Sequence, residues 1–220
     1  MSFYTSLNGL KNAQTDLGVI AHNIANVETT GFKKGNTQFA DIVAGSAQTN
    51  PRMITGIGAT VEAITQNFSL GPIEQTGSAL NLAITGDGFF SMRSADSGRT
   101  VFTRNGDFGI DENGFITDGG VNRLQVLPVD PSGTITSNAP VDAQIARTNS
   151  AGAEFVGVVV GSDGLVSASY ADGTVEPVGV VALASFIAPT GLKQIGSSNW
   201  EATGLSGAGC CEMLKGGNAP

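Results

Sequence analysis

His22 is the single histidine of this 220-residue chain, and Cys210 and Cys211 are its two cysteines, so side chains suited to proton transfer, nucleophilic attack or soft-metal binding are few. A histidine base must lie within hydrogen-bond reach of the group it deprotonates. His22 instead lies inside a run of helical periodicity and reads as a polar helix-end residue. Adjacent cysteines cannot close an unstrained disulfide with each other, and neither has the partners at CxxC spacing that zinc requires; they read as unpaired thiols. Asp107, Asp111 and Glu112 could supply carboxylates, but their spacing is not that of an EF-hand. Asp111-Glu112-Asn113-Gly114 is better explained as a hairpin turn. No Lys-Ser or Lys-Thr follows a glycine-rich run, so the glycines do not form a phosphate loop. The sequence predicts no catalytic residue, no cofactor, no metal site and no small-molecule substrate.

Composition narrows the classes further. Only 14% of residues are charged and the net charge is -8, which argues against a nucleic-acid partner. The polar surface must come largely from Ser, Thr, Asn and Gln. A secreted β-rich binding module would have a similar composition. No stretch approaches the roughly 20 apolar residues that span a bilayer. The N-terminus lacks a secretory signal, because Asn8, Lys11 and Asn12 interrupt its apolar positions.

What positions residues in this chain is a long N-terminal helix. Phe3, Leu10, Leu17 and Ile24 fall on one heptad line, Ser6, Ala13, Ile20 and Val27 on the next, and Leu7 widens the stripe. The pattern runs for about four heptads and predicts a helix from Ser2 to Val27, roughly 40 Å long at ~1.5 Å per residue. Its other face (Asn8, Lys11, Asn12, Gln14, Thr15, Asp16) is polar with few charges. Such a seam calls for a partner helix; the alternative is an amphipathic helix packed on the chain's own domain. Asn23 and Asn26 come late in the helix, where Asn tolerates a left-handed end, and Gly31 supplies positive φ just before Phe32 and Lys33.

Leu17-Gly18-Val19-Ile20-Ala21-His22-Asn23-Ile24-Ala25-Asn26, Thr30-Gly31-Phe32-Lys33 and Phe39-Ala40-Asp41-Ile42 resemble the N-terminal signature of the bacterial flagellar axial proteins, the rod and hook subunits. His22 stands where that motif usually has Asn. Two further blocks follow in the family's order: Gly71 to Ile84 with Gly86-Asp87-Gly88-Phe89-Phe90 and Phe102 to Phe108, then Val178 to Leu192 with Asn199-Trp200. The Ser2-Phe3 opening and Phe39-Ala40-Asp41 are more similar to a hook subunit than to a rod subunit.

The resemblance implies a non-enzymatic structural subunit that self-assembles into a helical hook and transmits motor torque, with a basal-body rod protein as the alternative. It implies Phe3, Leu7, Leu10, Leu17, Ile20, Ile24 and Val27 as the assembly interface, and Asn23, Asn26, Thr30, Gly31, Phe32 and Lys33 as the helix exit. Implied partners are further copies, other axial proteins, the hook cap and the export apparatus. The implied location is the hook or basal body, reached by type III export without a cleaved signal peptide.

Beyond about Thr55 the periodicity becomes two. Thr60 to Phe68, Leu80 to Ile84 and Phe155 to Val160 read as strands. Asp87-Gly88, Asn105-Gly106, Asn113-Gly114, Asp118-Gly119, Asp163-Gly164 and Asp172-Gly173 read as tight turns between them. The predicted fold is therefore mainly β, a hairpin-built antiparallel domain behind a long N-terminal α-helix. Its predicted divisions are 1–54 (assembly helix and linker, with a loop over Ala44 to Met53), 55–207 (β domain) and 208–220 (atypical tail). Val129 to Ala153 reads as a short bridge where longer hook proteins insert an outer domain. The tail holds no heptad, whereas axial proteins generally end in a second helix. It therefore reads as a truncated or frameshifted end, or as the edge of a fragment.

Overall fold

A computed structural model describes residues 2–44, 55–119, 121–207 and 209–213. The fold is mainly antiparallel β behind one N-terminal helix, α1, which spans Ser2–Ala25. The chain forms two compact units, Met1–Ser69 and Leu70–Pro220.

In the first unit, α1 is followed by turns and by two long strands, β1 (Gly35–Ala44) and β2 (Thr55–Gln66). These pair antiparallel from Gly35↔Gln66 to Ala44↔Thr55, with bulges between Gln38 and Phe39 and between Ile42 and Val43. The division predicted between residues 54 and 55 thus falls between two strands that share one ladder. Period-two alternation announces a strand but carries no information about its partner. The loop predicted over Ala44 to Met53 lies, beyond Ala44, outside the described residues.

The second unit is built around one long strand. Its strands are β3 (Phe89–Ser94), β4 (Thr100–Thr103), β5 (Gly109–Ile110), β6 (Ile116–Thr117), β7 (Asn122–Leu127), β8 (Val141–Asp142) and β9 (Phe155–Val160). They continue with β10 (Leu165–Tyr170), β11 (Val175–Ser185), β12 (Lys193–Gly196), β13 (Asn199–Glu201) and β14 (Cys210–Met213). The sheet runs β12-β13-β4-β3-β11-β7-β6-β5. Along its length β11 also pairs with β10 and β14. Pro177 sits beside the register shift in the β10–β11 ladder, where a residue lacking an N–H does least harm. Phe90, Met92, Ile116, Leu124, Val166 and Val181 are fully buried at the centre.

Two elements differ from their sequence reading. Leu80 to Ile84 is not a strand: it makes an isolated bridge, Asn81↔Asp107, and a hydrogen bond from Leu82 N–H to Gly106 C=O at 2.9 Å. Ile84 is nonetheless buried, with Leu80 and Leu82 packed against the core, so the alternation reported burial without a ladder. Asn105-Gly106 is likewise not a positive-φ turn, unlike Gly88, Gly114, Gly119, Gly164 and Gly173. Gly106 serves close approach instead, because a Cβ there would lie 1.6 Å from the Leu82 carbonyl oxygen.

Val129 to Ala153 is more than a bridge. Ala143 and Ile145 are buried, and Ala143 donates its N–H to Leu124 C=O while accepting from Ile116 N–H. In the segment predicted as an atypical tail, Cys210–Met213 pairs with Ser185–Ala182, and residues 208 and 214–220 lie outside the described residues.

Candidate assembly surface

The apolar seam of α1 is uncovered. Phe3, Leu7, Leu10, Leu17, Ile20 and Ile24, with Val27 in the turn that follows, range from 38% exposed (Leu7) to 75% (Val27). The half-buried residues of the helix are instead Asn8, Asn12, Asp16, Val19 and Asn23, spaced four, four, three and four apart. That spacing is one stripe of a 3.6-residue helix. At roughly 100° per residue, this stripe lies on the far side of the helix from the seam. Asn8 and Asn12 both donate from Nδ2 to the Ala59 carbonyl of β2, at 2.6 and 2.7 Å. Asn23 grips β1 at both ends of one residue: its Nδ2 donates to Gly35 C=O and its Oδ1 accepts from Gly35 N–H, each at 2.9 Å. The helix therefore lies on its own hairpin through amides, and its apolar stripe faces away.

The residues after Asn23 form a compact exit. Asn26 donates from Nδ2 to His22 C=O at 2.9 Å, and Thr29 Oγ1 donates to Asn26 Oδ1 at 3.3 Å. The His22 carbonyl thus accepts from both the main-chain N–H and the side chain of Asn26, and Thr29 holds the Asn26 side chain in place. Asn26 Nδ2 also lies 3.3 Å from His22 Nδ1, which engages one ring nitrogen at the helix end. Thr30 lies in the turn, Gly31 has φ of 71°, and Phe32 N–H donates to Thr29 C=O. Phe32 meets the His22 ring edge-on at 5.6 Å, and Lys33 Nζ donates to Ser69 C=O at 3.0 Å. Of the six residues predicted for the exit, Asn23 lies in the last turns of α1, and Asn26, Thr30, Gly31, Phe32 and Lys33 lie between α1 and β1. Asn8 and Asn12 were read from sequence only as part of a polar face. Their four-residue spacing, in phase with Asn23, was the available signal.

Of the acidic residues considered for chemistry in the second unit, Asp111 holds a turn with its carboxylate. Asp111 Oδ1 accepts from Asn113 N–H and Phe115 N–H, both at 2.8 Å, which bears out the hairpin reading. Asp130 repeats the arrangement with Ser132 and Thr134, and Asp172 does so with Thr174. Hydrogen bonds to side-chain hydroxyls and backbone amides hold both carboxyls below the usual carboxylate range. Asp107 N–H donates to Asn105 Oδ1 at 3.0 Å. Among the described residues no group of three or more His, Cys, Asp or Glu could hold a metal ion, and no helix is long and apolar enough to cross a membrane.

The blocks that resembled a family in sequence meet in space within this unit. Phe89 packs edge-on against Trp200 at 5.6 Å and against Phe186 at 5.7 Å, and Phe102 meets Phe186 at 4.8 Å. Arg104 donates to Gly86 C=O at 3.1 Å and lies 5.1 Å from the centre of the Phe89 ring. Edge-to-face rings of this kind add roughly 0.5–1.5 kcal/mol per pair to their burial. Phe89, Phe102 and Trp200 are buried in this cluster, which ties the blocks together as framework.

Comparison with known proteins follows the same division of the chain. Residues 3–33 match the family model of the flagella basal body rod protein, and residues 83–168 match that of the flagellar hook protein FlgE/F/G D1 domain. The chain is 36% identical over 208 residues to the flagellar basal-body rod protein FlgG of Bacillus subtilis, covering 90% of this chain and 71% of that protein. It is 31% identical over 215 residues to FlgG of Agrobacterium fabrum, covering 91% and 73%. It is 46% identical over 114 residues to the flagellar hook protein FlgE of Salmonella typhimurium, covering 51% of this chain and 26% of that protein. The chain belongs to the flagellar rod and hook protein family and is a structural subunit of the bacterial flagellum's axial assembly.

Proposed function

We propose that this chain polymerises helically into the flagellar hook, with the α1 seam as its principal copy-to-copy contact. The observation that carries this is the inverted helix: seven large apolar side chains face out while amides face the chain's own hairpin. Each such side chain gains roughly 1.5–3 kcal/mol when removed from water, which a lone subunit forgoes. A heterologous contact that repeats without closing generates an open helix. The second unit, with its continuous core, supplies further contacts that pass torque from copy to copy. The fitting partners are other axial proteins at the ends of the polymer, the hook cap at the growing tip and the export apparatus, with the N-terminal region serving as an uncleaved address. The role is structural, with no substrate turned over.

The first test is polymerisation of the purified chain, followed by sedimentation and electron microscopy. The parent should form filaments and Leu10→Asn/Leu17→Asn should remain monomeric; equal polymerisation of both would remove the seam from the interface. A rod role is the second reading, favoured by alignment with rod proteins along 90% of the chain. Detection of the protein in sheared hooks supports the hook, and retention with the basal body after shearing supports the rod.

A further inference from the structure

The amides beneath α1 do something the seam cannot do for itself. A helix resting on a hairpin through apolar contacts would roll toward whichever face buries more surface, and here that is the seam. Hydrogen bonds are directional, and this helix has them at both ends of its length: Asn8 and Asn12 converge on Ala59 C=O of β2, and Asn23 holds both main-chain groups of Gly35 on β1. Glycines on the hairpin permit the approach. Gly58 has φ of +125°, and a Cβ there would lie 3.3 Å from Asn8 Nδ2; a Cβ on Gly35 would lie 3.3 Å from Val19 Cγ1.

We propose that Asn8, Asn12 and Asn23 are positioning residues that lock the rotation of α1 about its own axis, presenting the seam outward before a second copy is met. This inference rests on the assembly reading for its purpose. The lock itself is a property of the single chain. It makes the helix azimuth a feature of the monomer, so an incoming copy meets a stripe already aimed. Without the lock, the same stripe turns inward onto the hairpin and competes with assembly.

The test uses the full chain carrying Cys210→Ser and Cys211→Ser, with one reporter thiol at Ala13→Cys on the exposed side of α1 or at Asp16→Cys on its half-buried side. Maleimide reaction rates are compared in monomer, with and without Asn8→Ala/Asn12→Ala. The expected result is a several-fold faster reaction at position 13 than at 16, a contrast that collapses in the double variant. Polymerisation of the double variant should then require at least several-fold more protein. Alanine is the better helix former, so far-UV helix content should hold or rise, which separates lost rotation control from a melted helix. Gly58→Ala should reduce the contrast in the same direction. An unchanged rate contrast, or polymerisation of the double variant at the parent's concentration, overturns the proposal. A parent that shows the contrast yet never polymerises sinks the assembly reading and leaves the rotational lock standing.

Discussion

The two units of this chain treat apolar surface in opposite ways. The second gathers Phe90, Met92, Leu124 and Val181 inward and spends its carboxylates on its own turns. The first turns Phe3, Leu10, Leu17 and Ile24 outward and tucks Asn8, Asn12 and Asn23 against its hairpin. One unit hides its apolar side chains by itself, and the other leaves a stripe of them in solvent. The difference shows that the side of an amphipathic helix facing its own domain cannot be assumed from hydropathy, because directional amide bonds can outweigh it.

The sharpest way to break this comparison is to damage each unit and ask which property fails. Phe90→Ala should cost the second unit about 3–5 kcal/mol in urea unfolding, because a fully buried ring packed edge-on against Phe108 leaves a cavity. A loss below about 1 kcal/mol would mean that the core is not organised around this ring. Ile24→Asn should leave that unfolding curve within about 0.5 kcal/mol of the parent, since the side chain is exposed. It should raise the concentration needed for polymerisation about tenfold or more, the equivalent of 1.4 kcal/mol; unfolding of the second unit in step with lost assembly would contradict the division.

Acid sharpens the comparison more gently. Asp130 and Asp172 have depressed folded-state pKa values, so their contribution is complete above the unfolded value of about 3.9 and fades as pH falls through the folded value. The urea midpoint of the second unit should therefore drop below about pH 4, and Asp130→Asn/Asp172→Asn should flatten that drop. Helix docking in the first unit uses amides, which do not titrate, so the contrast between positions 13 and 16 should persist through the same range when read with a dipyridyl disulfide, which still reacts with thiols in acid. The smallest effect is expected at Ser197, whose φ of 51° is costly for a side-chain-bearing residue. Ser197→Gly should stabilise the second unit by about 0.5 kcal/mol, and destabilisation would show that its hydroxyl matters more than its backbone.

The sequence was most legible where the signal is local. Heptad spacing disclosed α1 and its seam, and five of the six Asx-Gly pairs marked a positive-φ turn, because each depends on a few neighbouring residues. Leu80 to Ile84 misled because alternation reports which side chains are buried, and a chain running beside the Arg104–Phe108 loop satisfies that without a ladder. The placement of β2 with β1 was hidden because strand partners are chosen by long-range register. Asn8 and Asn12 were hidden for a related reason: an Asn on a polar helix face looks the same whether it meets water or a carbonyl.

Strand β11 carries one further consequence. Within eleven residues it pairs with β10, β14, β7 and β3, so its amides belong to both halves of the sheet at once. None of these four partners can part from its ladder without disturbing the shared strand. Backbone protons at Val180 to Ala184 should exchange with deuterium only through global opening, as the slowest class in the molecule. The five strands therefore hold together or part together.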